Sequence, residues 1–144
     1  MMKDFVKTNL NRNATTEDFL SIVDKHMKPV LDAEGNRKFD WFFRDWVYGN
    51  ALPKYRLEYS MKQVSGKWTF TGKLTQSDVP ANFLMRVPLY FDFDGKMVRA
   101  GYVRMPGTDQ PGEATINLPK KPKRVLINAN HDLLAAEIVV KEVN

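Results

Sequence analysis

Two rhythms of apolar and polar positions divide this chain. Up to Tyr48 the apolar residues recur at helical spacing, and from Pro53 onward they alternate one by one. Met2, Phe5, Val6 and Leu10 follow one helical face with nothing ahead of them that could cap a helix, so the expectation is the tail of a helix whose beginning is missing. Thr15-Thr16-Glu17-Asp18 announces a second helix: a threonine hydroxyl can accept from a free backbone N–H, and the acids suit the positive helix end. Phe19, Ile22, Val23, Met27 and Val30 supply its buried stripe, and Pro29 with the Asp32 to Asn36 segment, including Gly35, ends it in a loop. In a third helix Phe39, Phe42, Phe43, Trp46 and Val47 fall at i, i+3, i+4, i+7 and i+8, one complete apolar face, while Trp41 and Tyr48 add rings on a second. Rings on two sides predict more than one packing neighbour. Gly49 is expected to stop this helix by adopting a positive φ.

The alternating region begins with Tyr55, Leu57, Tyr59 and Met61, which reads as a half-buried strand. After Ser65-Gly66 a partner carries Trp68, Phe70 and Leu74 inward. Phe83, Met85, Val87, Leu89, Phe91 and Phe93 form a third strand, turned by Asp94-Gly95 into a returning strand from Lys96 to Met105. Shorter strands are expected at Ala114 to Leu118, at Arg124 to Asn128 and from Leu133. The fold class that follows is mainly β: an antiparallel immunoglobulin-like β-sandwich over residues 53–144, preceded by two or three α-helices over residues 1–49.

Composition adds a few bounds. With 144 residues, 43% of them hydrophobic, the chain can bury roughly two thirds of its unfolded surface, and no apolar run approaches a membrane span. The start lacks the basic head and apolar stretch of a secretory signal, which leaves the compartment open, as does the Asn13-Ala14-Thr15 sequon. There is no cysteine, so disulfides and thiolate chemistry are excluded. The net charge of +5 lies wholly beyond Tyr48, since residues 1–48 hold eight basic and eight acidic side chains; the second part therefore tolerates anionic partners.

A search for chemistry finds little. His26 and His131 lack a histidine at ligand spacing, so each reads as a surface, boundary or turn residue. No Gly-x-Ser-x-Gly elbow is present, and Ser65 beside Gly66 is a turn residue. Gly66 to Lys73 is one residue too long for a phosphate loop and ends on Leu74 where a hydroxyl is required. Asp92-Phe93-Asp94-Gly95 starts like a calcium loop, yet the later acids are absent and a hairpin turn explains it. Lys120, Lys121, Lys123 and Arg124 form the best basic patch; between two short strands they read as a solvated, edge-protecting cluster ahead of a nucleic-acid contact. The sequence thus assigns this chain no catalytic residue, no metal ligand and no cofactor.

Thr15-Thr16-Glu17-Asp18-Phe19, then Phe42-Phe43-x-x-Trp46, Gly49 and Pro53 leading into an alternating strand, resemble the junction between the catalytic and β-sandwich domains of zinc aminopeptidases of the aminopeptidase N type. The resemblance is specific from about Thr15 to Tyr59 and architectural from there to about Ala135. Ala51 stands where that family commonly has glycine, and the family's His-Glu-x-x-His, its downstream Glu ligand and its Gly-x-Met-Glu-Asn motif are absent. No catalytic or metal residue of the family therefore carries over. The resemblance implies a non-catalytic C-terminal piece of a zinc peptidase whose zinc lies in the parent protein. Phe39, Trp41, Phe42, Phe43, Trp46 and Tyr48 would then pack against a missing catalytic domain, and exposed apolar surface would favour self-association. The alternative is a self-contained β-sandwich module that binds a protein, glycan or nucleic acid.

Overall fold

The computed structural model describes residues 1–143, apart from the side chain of Val30; that side chain, expected in the second helix stripe, and Asn144 lie outside the described residues. The chain divides into two compact units, Met1–Asn50 and Ala51–Asn144.

The first unit is helical. Helix α1 (Met2–Thr8) is short and buries none of its residues. Helix α2 (Thr16–Lys25) starts at a reciprocal cap: the Asp18 N–H donates to Thr15 Oγ1 at 3.1 Å, and the Thr15 N–H donates to Asp18 Oδ2 at 3.0 Å. Hydrogen bonds donated to its carboxylate by the Thr15 backbone N–H first and the Thr15 hydroxyl second lower the Asp18 pKa. Ile22 is its buried anchor, with Phe19, Val23 and Met27 half-buried around it. A single 3₁₀ turn at Pro29–Leu31 follows, the proline sitting where its missing N–H is harmless.

The expected third helix is not a regular α-helix. One α turn, α3 (Asp40–Phe42), passes into a π turn at Phe43–Val47, in which the Tyr48 N–H donates to the Phe43 carbonyl five residues back at 2.9 Å. The wider turn shifts the phase of the apolar face. Trp41, expected on the second face, is buried, and Val47, expected on the first, is exposed. Gly49 is required for a different reason from the expected positive φ: a β-carbon there would stand 2.5 Å from the Asp45 carbonyl oxygen, so the backbone itself passes too close for any side chain.

The second unit is a β-sandwich. Among the described residues, strands β1 (Lys54–Val64), β2 (Lys67–Ser77), β5 (Gly112–Leu118) and β7 (Glu137–Glu142) form one sheet in the order β5-β2-β1-β7. Strands β3 (Met85–Phe93), β4 (Lys96–Met105) and β6 (Arg124–Ile127) form the other, ordered β4-β3-β6. Both tight hairpins are as expected, with Ser65-Gly66 and Asp94-Gly95 at positive φ as a two-residue turn requires. Tyr55, Leu57, Phe70, Leu74, Val87, Leu89, Phe91, Val103 and Met105 meet between the sheets and are buried, and the Phe70 and Phe91 rings cross edge-on at 5.1 Å.

Two features depart from simple antiparallel alternation. The last strand begins at Glu137, after the Asn128 to Leu133 turn, in which Asn128 Nδ2 donates to the Leu133 carbonyl and the Leu133 N–H donates to Asn128 Oδ1. It crosses to the other sheet and pairs parallel with β1, Tyr55 beside Ile138 and Leu57 beside Val140. Strand β3 is also buried on its outer side, at Pro88, Tyr90 and Asp92, where strict alternation predicts exposure.

Candidate functional site

Three clusters hold the residues that the sequence singles out. In the helical unit Phe39 stacks on Phe42 at 4.9 Å and meets Trp41 edge-on at 5.3 Å. Phe43 lies 6.3 Å from Phe19 of α2, whose ring in turn meets Phe5 of α1 edge-on at 5.2 Å. Trp41 and Phe43 are buried, Phe39, Phe42 and Trp46 are half-buried, and Tyr48 is exposed with its hydroxyl donating to Glu17 at 2.9 Å. The Trp41 indole N–H donates to the Leu31 carbonyl. Much of the ring surface is therefore spent on other rings of the same unit. The most exposed aliphatic side chains of the unit lie on α1 and the turn after it, where Met2, Val6 and Leu10 are 55%, 58% and 67% exposed, ahead of Val47 and Leu31.

The polar groups of this unit form ion pairs rather than a reactive site. Asp4 accepts from Lys25 at 2.9 Å and lies 2.8 Å from the His26 ring nitrogen; the lysine first, then the histidine, bring its pKa from 3.8 to about 2. His26 is thus a boundary histidine that links α2 to α1. Asp45 is buried against the Arg44 guanidinium at 3.0 Å, which raises the arginine pKa together with a second pair to Glu34 at 3.1 Å.

The basic run is the second cluster, and the structure pairs each of its members with an acid. Lys120 and Lys123 reach Asp94 at 2.7 and 3.4 Å, Lys121 reaches Glu142 at 3.2 Å, and Arg124 grips the buried Asp92 through Nε at 3.0 Å and Nη2 at 2.7 Å. Asp92 also accepts the Gly95 N–H at 2.7 Å; Arg124 first and that N–H second lower its pKa. Lys120 and Lys121 lie over the rings of Phe93 and Trp68. This cluster staples the β3–β4 turn to the segment before β6, and its charge is largely spent internally.

The third cluster is one that sequence periodicity misses. Between Leu89 and Tyr90 the β3–β4 register slips: Pro88 faces Tyr102, Leu89 faces Gly101, and Tyr90 faces Arg99, so Ala100 is an extra residue. Gly101 carries a φ of +145°, a conformation that glycine supplies readily. The bulge reverses the alternation, and Arg99 and Tyr102, an odd number of positions apart, emerge on the same outer face. Arg99 Nη1 donates to the Tyr102 hydroxyl at 3.1 Å, and the guanidinium carbons of Arg99 and Arg86 lie 5.3 and 5.5 Å from the Tyr102 ring centre. Arg104 completes the row, directly across from Arg86. At the end of this face the buried Tyr90 hydroxyl donates to Asp132 at 2.9 Å and accepts from Asn130 at 3.1 Å. Its burial, then the Asp132 carboxylate, raise the phenol pKa. His131, between those two residues, has a φ of +55° and lies in the turn the sequence predicts. The available signal was the Ala100-Gly101 break in β4.

Among the described residues no group of three or more His, Asp or Glu side chains is placed to hold a metal ion, and no helix is long and apolar enough to cross a membrane. No family model and no curated protein matches the chain.

Proposed function

We propose that this chain is a non-catalytic segment of a larger protein of the zinc aminopeptidase type, in which the helical unit docks onto a catalytic body and the β-sandwich is a structural domain. The observation that carries this reading is the apolar stripe of Met2, Val6 and Leu10. Met2 and Val6 lie on α1 and Leu10 in the turn just beyond it, at every fourth position; α1 buries none of its own residues, and beside this stripe Phe5 finds a ring partner in Phe19. A helix that presents an apolar stripe to water is a docking element in want of a surface. The junction residues Thr15 to Tyr59 that resemble the aminopeptidase family support the same reading. The described residues offer no ligand set for zinc, so in this proposal the metal and the peptide chemistry reside wholly in the parent protein.

The test has two arms. Translating the reading frame upstream should reveal a His-Glu-x-x-His motif with a downstream Glu; a stop codon close before Met2 overturns the proposal. For the chain itself, sedimentation with an apolar fluorescent dye should show dye binding and self-association, both reduced in the variant Val6→Glu, Leu10→Lys. A monodisperse monomer that leaves the dye dark argues for a self-contained module.

A further inference from the structure

We propose that the outer face of the β3–β4 hairpin is a recognition surface for an extended acidic stretch of polypeptide, read by the guanidinium groups of Arg86, Arg99 and Arg104. This inference stands on the sandwich alone and is independent of the parentage proposed above.

The surface has features that a merely solvated sheet face lacks. Solubility is served by mixed charge at any outward position, yet here the outward row of β4 after the slip is Arg99, Tyr102 and Arg104, with Arg86 set opposite Arg104 on β3. Like charges directly across an antiparallel pair repel and raise the local positive potential. The chain reaches this arrangement only through an inserted residue and a glycine at φ +145°; without the slip Arg99 would point the other way. Bulges re-aim side chains in this manner beside binding sites.

Tyr102 organises the group. It is 47% exposed, an open position for so large a ring, and Arg99 and Arg86 lie to either side of it along the sheet. Its hydroxyl accepts from Arg99. A guanidinium held by a ring and a phenol loses less freedom when it forms a paired hydrogen bond to a carboxylate. Outward residues two apart on a strand are spaced by about 7 Å, which is also the spacing of alternate side chains in an extended peptide. Arg99 stands level with Tyr90 and Arg104 with Arg86, four positions and so about 14 Å apart, with Tyr102 between. An alternating acidic peptide therefore matches the arginines in sign and brings every second carboxylate level with one of them.

The same geometry argues against single-stranded nucleic acid. Base recognition without sequence preference needs an aromatic face on which to stack. Here the guanidiniums of Arg86 and Arg99 already lie 5.5 and 5.3 Å from the ring centre, where a base would stack. The lysine-rich run does not compete as a site either, because each of its members is engaged by Asp92, Asp94 or Glu142.

The experiment is fluorescence anisotropy on the full chain at low salt with three labelled probes: an alternating Glu-Ser decapeptide, its Gln-Ser counterpart and a ten-residue oligothymidylate. The Glu-Ser peptide should bind, more weakly as salt rises, and the Gln-Ser peptide should not. Arg99→Ala and Arg86→Ala should each weaken binding by about tenfold, as expected for loss of a charge-assisted hydrogen-bonded pair. Arg99→Lys, which keeps the charge and preserves the strand, should also weaken it, because the planar fork is lost. Lys120→Ala should change binding less than about twofold, the expectation for an exposed, internally paired lysine. Absence of Glu-Ser binding, binding insensitive to both arginines in variants that melt like the wild type, or tighter binding of the oligothymidylate through the same arginines overturns the proposal.

Discussion

Replacing Tyr55 by Phe should make the sandwich more stable. Tyr55 is 1% exposed on β1, directly across from Gln76 on β2, and its hydroxyl has no hydrogen-bond partner among the described residues. Burial alone pushes its pKa far up, so the group stays a protonated donor with nothing to donate to. Across the pair Gln76 spends its Nε2 on the Phe83 and Gly107 carbonyls at 2.7 and 2.9 Å, yet its Oε1 also lacks a partner among the described residues. A buried polar atom left unsatisfied costs about 1–3 kcal/mol, whereas removing it while keeping the ring forfeits few contacts. A net gain of about 1 kcal/mol is expected, which for a unit of this size raises Tm by about 4–8 °C. Calorimetry with Tyr59→Phe as comparison provides the assay. Tyr59 has a partner in Glu142, so its variant should be unchanged or slightly less stable. Should Tyr55→Phe instead melt several degrees lower, the hydroxyl is satisfied in solution and the reasoning fails.

Other expectations follow from the same structure. Phe70→Ala removes a ring that is fully buried against Phe91 and Tyr59, and urea unfolding should show a loss of about 3–5 kcal/mol. Gly49→Ala forces a β-carbon onto the Asp45 carbonyl and should destabilise the helical unit by about 1–3 kcal/mol, measured by far-UV circular dichroism. Asp4 has a folded-state pKa of about 2 against an ordinary 3.8, so its pairing with Lys25 and His26 favours the folded state above about pH 4 and fades as the pH falls toward 2. A carboxyl NMR titration should place its midpoint near 2, moving toward the ordinary value in Lys25→Ala. Asp92→Asn should lower the melting temperature of the sandwich and leave Arg124 without its carboxylate, whereas Asp94→Asn, facing exposed lysines, should do little.

The parts of the fold that were legible in the sequence are those in which local chemistry decides. Thr15 with Asp18, Ser65-Gly66 and Asp94-Gly95 each carry their cap or turn in adjacent residues, and the alternation of Tyr55 to Met61 and of Trp68 to Leu74 follows the pleat. What escaped depends on geometry that alternation cannot register. The π turn after Phe42 turns Val47 out of the expected apolar face by adding one residue to a turn, and the bulge at Ala100 does the same kind of thing to β4. The basic run was conspicuous because its members are contiguous, yet its neutralisation by Asp92, Asp94 and Glu142 is a tertiary fact. The arginines around Tyr102 were inconspicuous because two strands and a register slip are needed to assemble them.

The parallel pairing of β7 with β1 also has a kinetic meaning. As the polypeptide leaves the ribosome, β1 meets its first neighbour, β2, almost at once across the Ser65-Gly66 turn. Its second edge then waits for Glu137–Glu142, with nearly the whole sandwich to be synthesised in between. During that interval Tyr55 and Leu57 lie in a strand with one open row of backbone donors and acceptors. Closure of so long a loop is slow compared with forming a hairpin. Newly made chains should thus be most prone to sticking together just before their final strand arrives.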